Sequence, residues 1–139
     1  LRRSSAASDV YKRQHLDKVI KPSLEEGKIV ITDRYIDSTY AYQGAGRGIS
    51  KSIIDNLVSQ TEIMLPDRTI LLDISPEVGL KRASSRNELD RFESENIDFH
   101  ERLRKSFLDA AGANPDRFLT VDAEQEPDKI LQSVINKLF

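Results

Sequence analysis

Residues Asp33–Gly48 read DRYIDSTYAYQGAGRG and follow directly on the run KIVIT at Lys28–Thr32. The run is β-branched and apolar on both faces, which is typical of a strand in a parallel sheet that helices cover on both sides. Parallel sheets bind ligands beyond the carboxyl ends of their strands. Asp33–Gly48 (segment 33–48) is therefore a candidate ligand site.

The side chains of segment 33–48 suit a nucleotide. Arg34 comes directly after the predicted strand, and its planar guanidinium can hold a phosphate or a carboxylate with two hydrogen bonds. Asp33 could orient that guanidinium or reach a magnesium ion. Hydroxyl, ring and amide groups that can pack on a nucleoside or read a base edge follow at Ser38, Thr39, Tyr42 and Gln43. The residues alone leave a second interpretation open, an ordinary loop with Asp33 and Arg34 paired at the surface.

The glycine-rich end of segment 33–48, Gly44–Gly48, is not a dinucleotide-binding fingerprint, because it lacks the G-x-G-x-x-G spacing. We expect a turn there that needs unusual backbone angles. Arg47 either adds positive charge to the site or is solvated.

The rest of the chain alternates between helical and strand patterns. Apolar runs predict strands at Thr69–Ile74 and Phe118–Val121, each with an acid at its end, Asp73 and Asp122. Helical periodicity and cap signals predict helices at Leu16–Leu24 (ended by Gly27), Ser50–Gln60, Pro76–Arg86, Glu93–Ala111 and Pro127–Leu138. This order predicts an α/β fold with a parallel sheet and flanking helices.

A second basic cluster, KRASSRNELDR at Lys81–Arg91, joins two predicted helices. Arg82 and Arg86 could belong to a lid that closes on transferring phosphates. The residues by themselves favour a solvated helix end, where cations are stabilised by the helix dipole.

Composition narrows the function classes. The 139 residues suffice for one domain and carry a formal net charge of −2, so nothing indicates a nucleic-acid or membrane partner. The absence of cysteine excludes disulfides and thiolate chemistry, and it is consistent with a cytoplasmic protein. The two histidines, His15 and His100, are isolated, and neither is assigned a role.

Segment 33–48 resembles the Asp-Arg-(Tyr/His)…Ala-Tyr-Gln-Gly-x-(Gly/Ala)-Arg-Gly segment of bacterial thymidylate kinases. QHLDKVIKPSLEEGK resembles the preceding helix of that family, and PDRTILLDISPEVGLKRASSRNELDRFE resembles a strand, a helix and the lid. The resemblance runs from about Gln14 to Phe139. It implies a P-loop NTPase-like nucleoside monophosphate kinase fold and transfer of the ATP γ-phosphoryl group to dTMP, with Mg²⁺, giving dTDP.

The resemblance also implies roles by position. Arg34 would hold the dTMP phosphate and stabilise the transfer, with Asp33 near magnesium and the phosphates. Ser38 would belong to the dTMP site, where Thr39 and Gln43 would read the thymine and Tyr42 would pack near the deoxyribose. Arg86 would be the lid arginine that approaches the ATP phosphates, with Arg82 also at the ATP site.

The sequence contains no G-x-x-x-x-G-K-[ST] loop, which such kinases use to hold the ATP phosphates. Its opening, SSAASDVYKRQ at Ser4–Gln14, resembles a translated sequencing adapter. We therefore expect residues 1–14 to be non-native and residues 15–139 to form a partial thymidylate kinase domain. By itself this chain is expected to be inactive, and either unstable or prone to aggregation.

Other functions stay open at this point. A kinase with another base preference would share these motifs, and a non-catalytic nucleotide-binding pseudo-kinase would keep the monophosphate site. The resemblance further implies a homodimer, in which Ser50–Met64 could take part.

Overall fold

The computed structural model describes residues 14–60, 63–85 and 95–138. Helix α1 comprises Leu16–Ile20 and Lys21–Glu25, and α2 comprises Ile36–Thr39 and Tyr40–Gly46. They are followed by α3 (Lys51–Gln60), β1 (Thr69–Asp73), α4 (Pro76–Ser84), α5 (Ile97–Ala113), β2 (Phe118–Asp122) and α6 (Pro127–Leu138). The predicted non-native segment, residues 1–14, lies outside the described residues except for Gln14.

The predicted parallel strands are confirmed at two of the three runs. β1 and β2 pair in parallel, from Thr69 opposite Phe118 to Asp73 opposite Asp122. The ladder continues past its end, where the Ala123 amide donates to the Asp73 carbonyl at 2.8 Å. The carboxyl ends of β1 and β2 therefore lie side by side at one edge of the sheet.

The third predicted strand, Lys28–Thr32, is wrong. The run has no regular secondary structure and pairs with no described strand, and the Ile29 and Ile31 side chains are 82% and 92% exposed. An apolar β-branched run favours a strand only when a neighbouring strand satisfies its amides and carbonyls, and the sheet in the described ranges consists of β1 and β2 alone.

Helix ends follow the local signals. Gly27 ends α1 in the left-handed region, with φ of 74°, and the Lys28 amide donates to the Ser23 carbonyl at 3.0 Å. These are the features of a Schellman motif, which only glycine adopts without strain. At the start of α5, the Asn96 side chain accepts from the Phe99 amide at 2.9 Å. The predicted end of α4 at Arg86 and the predicted start of α5 at Glu93 both lie outside the described residues.

Segment 33–48 is mostly helical, so the expectation of a loop and a glycine turn is wrong for most of its length. α2 includes Gly44 and Gly46, neither of which has a positive φ. Gly48, after the helix, does have a positive φ, of 74°. Ala41 on α2 is buried with Phe99 and Leu103 of α5, and Tyr42 and Phe107 pack against that cluster. The core thus joins segment 33–48 directly to α5.

The described helices do not include one that is both long enough and apolar enough to span a bilayer.

The exposed run at Lys28–Thr32 predicts self-association of the chain. We expect Ile31→Lys to reduce concentration-dependent association, because a charge within an exposed apolar run opposes its pairing with the same run of another chain. Light scattering over a range of protein concentrations measures this. Ala113→Lys, which adds the same charge at the exposed end of α5, is the control and should leave association unchanged. Equal effects of the two variants would contradict the prediction.

Candidate functional site

Arg34 has an unusual backbone conformation at the start of segment 33–48. Its φ is 53°, and it is the one non-glycine residue with a positive φ in the described part of the chain. Such a conformation is strained for a residue with a Cβ, and it persists only where surrounding structure holds it. The Arg34 guanidinium carbon lies 4.3 Å from the centroid of the Tyr42 ring, in cation–π geometry.

A cavity of about 380 Å³ opens between α4, α5 and the carboxyl end of β1. Its polar wall is formed by Arg34, Tyr42, Asp73, His100 and Arg104. Its apolar wall comes from the inner faces of α4 and α5, including Leu80 and Phe107. The cavity occupies the place where parallel α/β sheets bind ligands.

Asp73 and Arg104 form a bidentate ion pair in this wall. Arg104 Nε donates to Asp73 Oδ1 at 2.8 Å, and Arg104 Nη2 donates to Asp73 Oδ2 at 2.9 Å. The hydrogen bond from Arg104 lowers the pKa of the Asp73 carboxyl, and the same bond raises the pKa of Arg104. The pair fixes α5 against the end of β1 and leaves the carboxylate charged.

One side of α5 faces the cavity through residues at helical spacing, His100, Leu103, Arg104 and Phe107. Sequence reasoning did not identify His100 or Arg104 as site residues. The sequence did contain a signal. His100 and Arg104 alternate with the apolar residues Leu103 and Phe107 at the spacing i, i+3, i+4, i+7, so all four share one face of the helix. The His100 Nε2 atom is buried and has no hydrogen-bond partner among the described residues.

Polar contacts fasten α2 to its neighbouring helices. The Tyr40 hydroxyl donates to Asp55 Oδ1 on α3 at 2.8 Å. Burial, with the bond to Asp55, raises the pKa of Tyr40 to about 12, and that bond lowers the pKa of Asp55. On the other side, Arg102 Nε donates to the Ala45 carbonyl at 3.2 Å. The middle and the C-terminal end of the helical part of segment 33–48 are thereby held.

The glycines of segment 33–48 permit close helix packing. A Cβ on Gly46 would lie 2.7 Å from Phe99 Cε2 and 3.2 Å from Leu103 Cδ2, and one on Gly44 would lie 3.3 Å from Ile54 Cδ1. The expected reason for these glycines was backbone freedom in a turn. The structure instead shows that the lack of a side chain brings α2 against α3 and α5.

The structure brings Arg34 and Tyr42 together on the cavity, and the other predicted site residues that it describes do not line it. Asp33 is exposed beside Arg34 and does not line the cavity, and neither do the half-buried residues Ser38, Thr39 and Gln43. Their predicted contacts with a ligand stay predictions.

Arg82 contacts the loop after β2. Its Nη1 donates to the Ala123 carbonyl at 2.6 Å and its Nη2 donates to the Glu124 carbonyl at 2.7 Å. Asp122, expected near a ligand, accepts from the Glu124 amide in the same loop at 2.9 Å. Both residues shape the carboxyl edge of the sheet beside β2. Arg86, the predicted lid arginine, lies outside the described residues.

The sequence and the fold of this chain both match known proteins. A family model described as thymidylate kinase matches residues 9–134. The chain is 45% identical over 136 residues to the thymidylate kinase of Maridesulfovibrio salexigens, covering 90% of this chain and 61% of that protein. It is 48% identical over 122 residues to the thymidylate kinase of Pseudomonas fluorescens, covering 87% of this chain and 58% of that protein.

A solved structure is similar as well. The crystal structure of thymidylate kinase from Ehrlichia chaffeensis superposes with a TM-score of 0.70 at 34% identity, over 94% of this chain and 60% of that chain. The chain therefore spans about three fifths of the length of these relatives. The matches confirm the resemblance seen in segment 33–48 and the predicted nucleoside monophosphate kinase fold of the P-loop NTPase type.

Gly46→Ala tests the close packing of α2 on α5. The added methyl group would meet the buried Phe99 ring, so we expect a loss of about 1–3 kcal/mol in the free energy of unfolding. Gly112→Ala is the matched control, because a Cβ there meets nothing within 4 Å. It should stabilise α5 by about 0.5 kcal/mol. Chemical denaturation measures both, and losses of equal size would contradict the packing argument.

Asp73→Asn tests the ion pair through its pH dependence. Because the folded-state pKa of Asp73 is lowered, the pair stabilises the protein above the ordinary value of 3.8 and this contribution is lost as the pH falls through the lower folded value. We expect the variant to be less stable than the wild type by about 1 kcal/mol near pH 6. The difference should shrink in unfolding curves recorded at decreasing pH below 3.8. A difference that is independent of pH would show that the charge contributes nothing.

Proposed function

Because this chain belongs to the thymidylate kinase family, we propose that it serves the transfer of the γ-phosphoryl group of ATP to dTMP, which gives dTDP. The observation that carries the proposal is the Arg34 guanidinium on the Tyr42 ring, at a cavity beside the carboxyl end of β1. In this proposal the described residues bind the acceptor, dTMP.

Arg34 binds the phosphate of dTMP. A guanidinium can chelate two phosphate oxygens, and a charge-assisted pair of this kind is stronger than neutral hydrogen bonds. The Tyr42 ring and the left-handed backbone at Arg34 restrict the orientations of the guanidinium, so that less side-chain freedom is lost when a phosphate binds. The same positive charge stabilises the negative charge on the transferring group.

The nucleoside lies against the remaining polar groups of segment 33–48. Tyr42 packs near the deoxyribose, and Thr39 and Gln43 read the thymine, with Ser38 as a further hydroxyl of the dTMP site. An amide that both donates and accepts matches a base edge that does the same. Support for this assignment comes from the position of these residues on α2, the helix that also brings Tyr42 to the cavity.

Magnesium fits the exposed Asp33 carboxylate. Mg²⁺ in kinases is held by one or two carboxylates, water and the phosphates themselves, so a single acid beside Arg34 is a suitable protein ligand. No cluster of three acidic or histidine side chains occurs in the described ranges. When bound, the ion would neutralise phosphate charge between ATP and dTMP. On the ATP side we assign Arg82 and Arg86.

Exposed apolar side chains on α3, Ile53 and Leu57, would be buried in a homodimer, with the nearby Ile49 and Met64 at its margin. We propose this homodimer, in the cytoplasm, without a nucleic-acid or membrane partner.

Binding of dTMP to the chain tests the proposal. Calorimetry should show dTMP binding that Arg34→Ala weakens by roughly 10–100-fold, because charge-assisted hydrogen bonds contribute about 1.5–3 kcal/mol. Arg47→Ala removes the same charge from the same segment at a position that does not line the cavity, and it should change the affinity less than about twofold. Equal losses in the two variants would mean that only net charge attracts the ligand.

Ligand choice separates the proposed reaction from its alternatives. Tighter binding of dTMP than of dUMP, dCMP or dGMP supports a dTMP kinase, and a preference for another base indicates a related kinase. Because the sequence holds no G-x-x-x-x-G-K-[ST] loop, we expect dTMP binding by this chain without turnover of ATP. Turnover by the chain would overturn that expectation.

A further inference from the structure

We infer that Arg117 is a positioning residue that orients segment 33–48 through Asp37. Arg117 Nη1 donates to Asp37 Oδ2 at 2.8 Å, and Arg117 Nη2 donates to Asp37 Oδ1 at 2.8 Å. The same Nη1 donates to Thr69 Oγ1 at 2.9 Å. Residues that are 80 positions apart in sequence thus form a bidentate pair tied to the first residue of β1.

The pair is well shielded from solvent. The Arg117 and Asp37 side chains are 17% and 15% exposed, compared with 39% and 22% for the members of the other bidentate pair, Arg104 and Asp73. The Arg117 guanidinium carbon also lies 4.5 Å from the centroid of the Phe118 ring. The hydrogen bond to Asp37 raises the pKa of Arg117. Removing either partner would leave the other charge unpaired in a poorly hydrated place. Arrangements in which the two side chains separate are therefore unfavourable.

Arg117 is fixed to the sheet independently of Asp37. Its backbone carbonyl accepts from the Thr69 amide at 2.9 Å, and the residue directly precedes β2. The backbone and the side chain of Arg117 therefore both contact the start of β1. This makes the guanidinium a rigid anchor rather than a mobile surface group.

Asp37 connects Arg117 to the helix that carries Tyr42 of the ligand site. It lies in the first turn of α2, three residues after Arg34 and five before Tyr42. Neither Asp37 nor Arg117 lines the cavity. The contacts of α2 with Asp55 and Arg102 come from helices, whereas Arg117 fastens α2 to the sheet that carries Asp73. The pair thus sets where Arg34 and Tyr42 lie relative to the carboxyl end of β1.

Hydrogen exchange tests the positioning role without any ligand. In Arg117→Gln, amide exchange within Ile36–Gly46 should rise roughly tenfold, while exchange in α5 and α6 stays at the wild-type rate. Arg117→Lys should give an intermediate rise, because lysine keeps the charge but not the two-pronged geometry. Lys105→Gln, which breaks the exposed pair with Asp109, is the control and should leave Ile36–Gly46 unchanged.

A second experiment measures ligand binding. It rests on the proposed function and uses dTMP as the probe. Arg117→Gln and Asp37→Asn should each weaken dTMP binding roughly tenfold, since small misplacements of binding groups have effects of at least this size. The double variant should be no weaker than either single variant, because both remove one interaction.

The outcomes separate the two proposals. A uniform rise of exchange in all helices of Arg117→Gln shows a merely structural residue, and unchanged exchange in Ile36–Gly46 shows no role; either overturns the inference. If the wild type binds dTMP and both variants bind it with the same affinity as the wild type, the inference is overturned as well. A wild type that does not bind dTMP contradicts the proposed function alone, and the exchange result then decides the role of Arg117.

Discussion

The packing of α2 against α5 is the contact on which the candidate site depends. Gly46 lets the two helices approach so closely that a Cβ there would clash with the Phe99 ring, and Ala41 is buried in one cluster with Phe99 and Leu103. Side chains from both helices then form one cavity wall, with Tyr42 from α2 and His100 and Arg104 from α5. A larger residue at this contact would move the two halves of the site apart.

Local chemistry was sufficient to predict most of the helices and the two paired strands. Pro76 with Ser75 before it marks the start of α4, and Gly27 ends α1 with the hydrogen bonds expected of a glycine cap. The runs at β1 and β2 are bounded by polar or turn-forming residues. These signals act within a few residues of the position they determine, so a single sequence contains them in full.

Features that depend on distant partners were missed. The Lys28–Thr32 run has the composition of a strand, but strand formation requires a neighbour that composition does not supply. Arg34 and Tyr42 were identified because segment 33–48 is continuous in sequence. Arg104 and Arg117 reach the site region from helix and loop positions whose local pattern looks like ordinary surface, and only the fold brings them to Asp73 and Asp37.

The left-handed backbone at Arg34 narrows the residues that this position can hold. A β-branched side chain would add a steric conflict with its own carbonyl, while asparagine or glycine would adopt the same backbone more easily than arginine does. Arginine is therefore a locally unfavourable choice, by about 1–2 kcal/mol on general grounds. The guanidinium therefore stands at a backbone position that costs free energy, and interactions outside the isolated turn have to offset that cost.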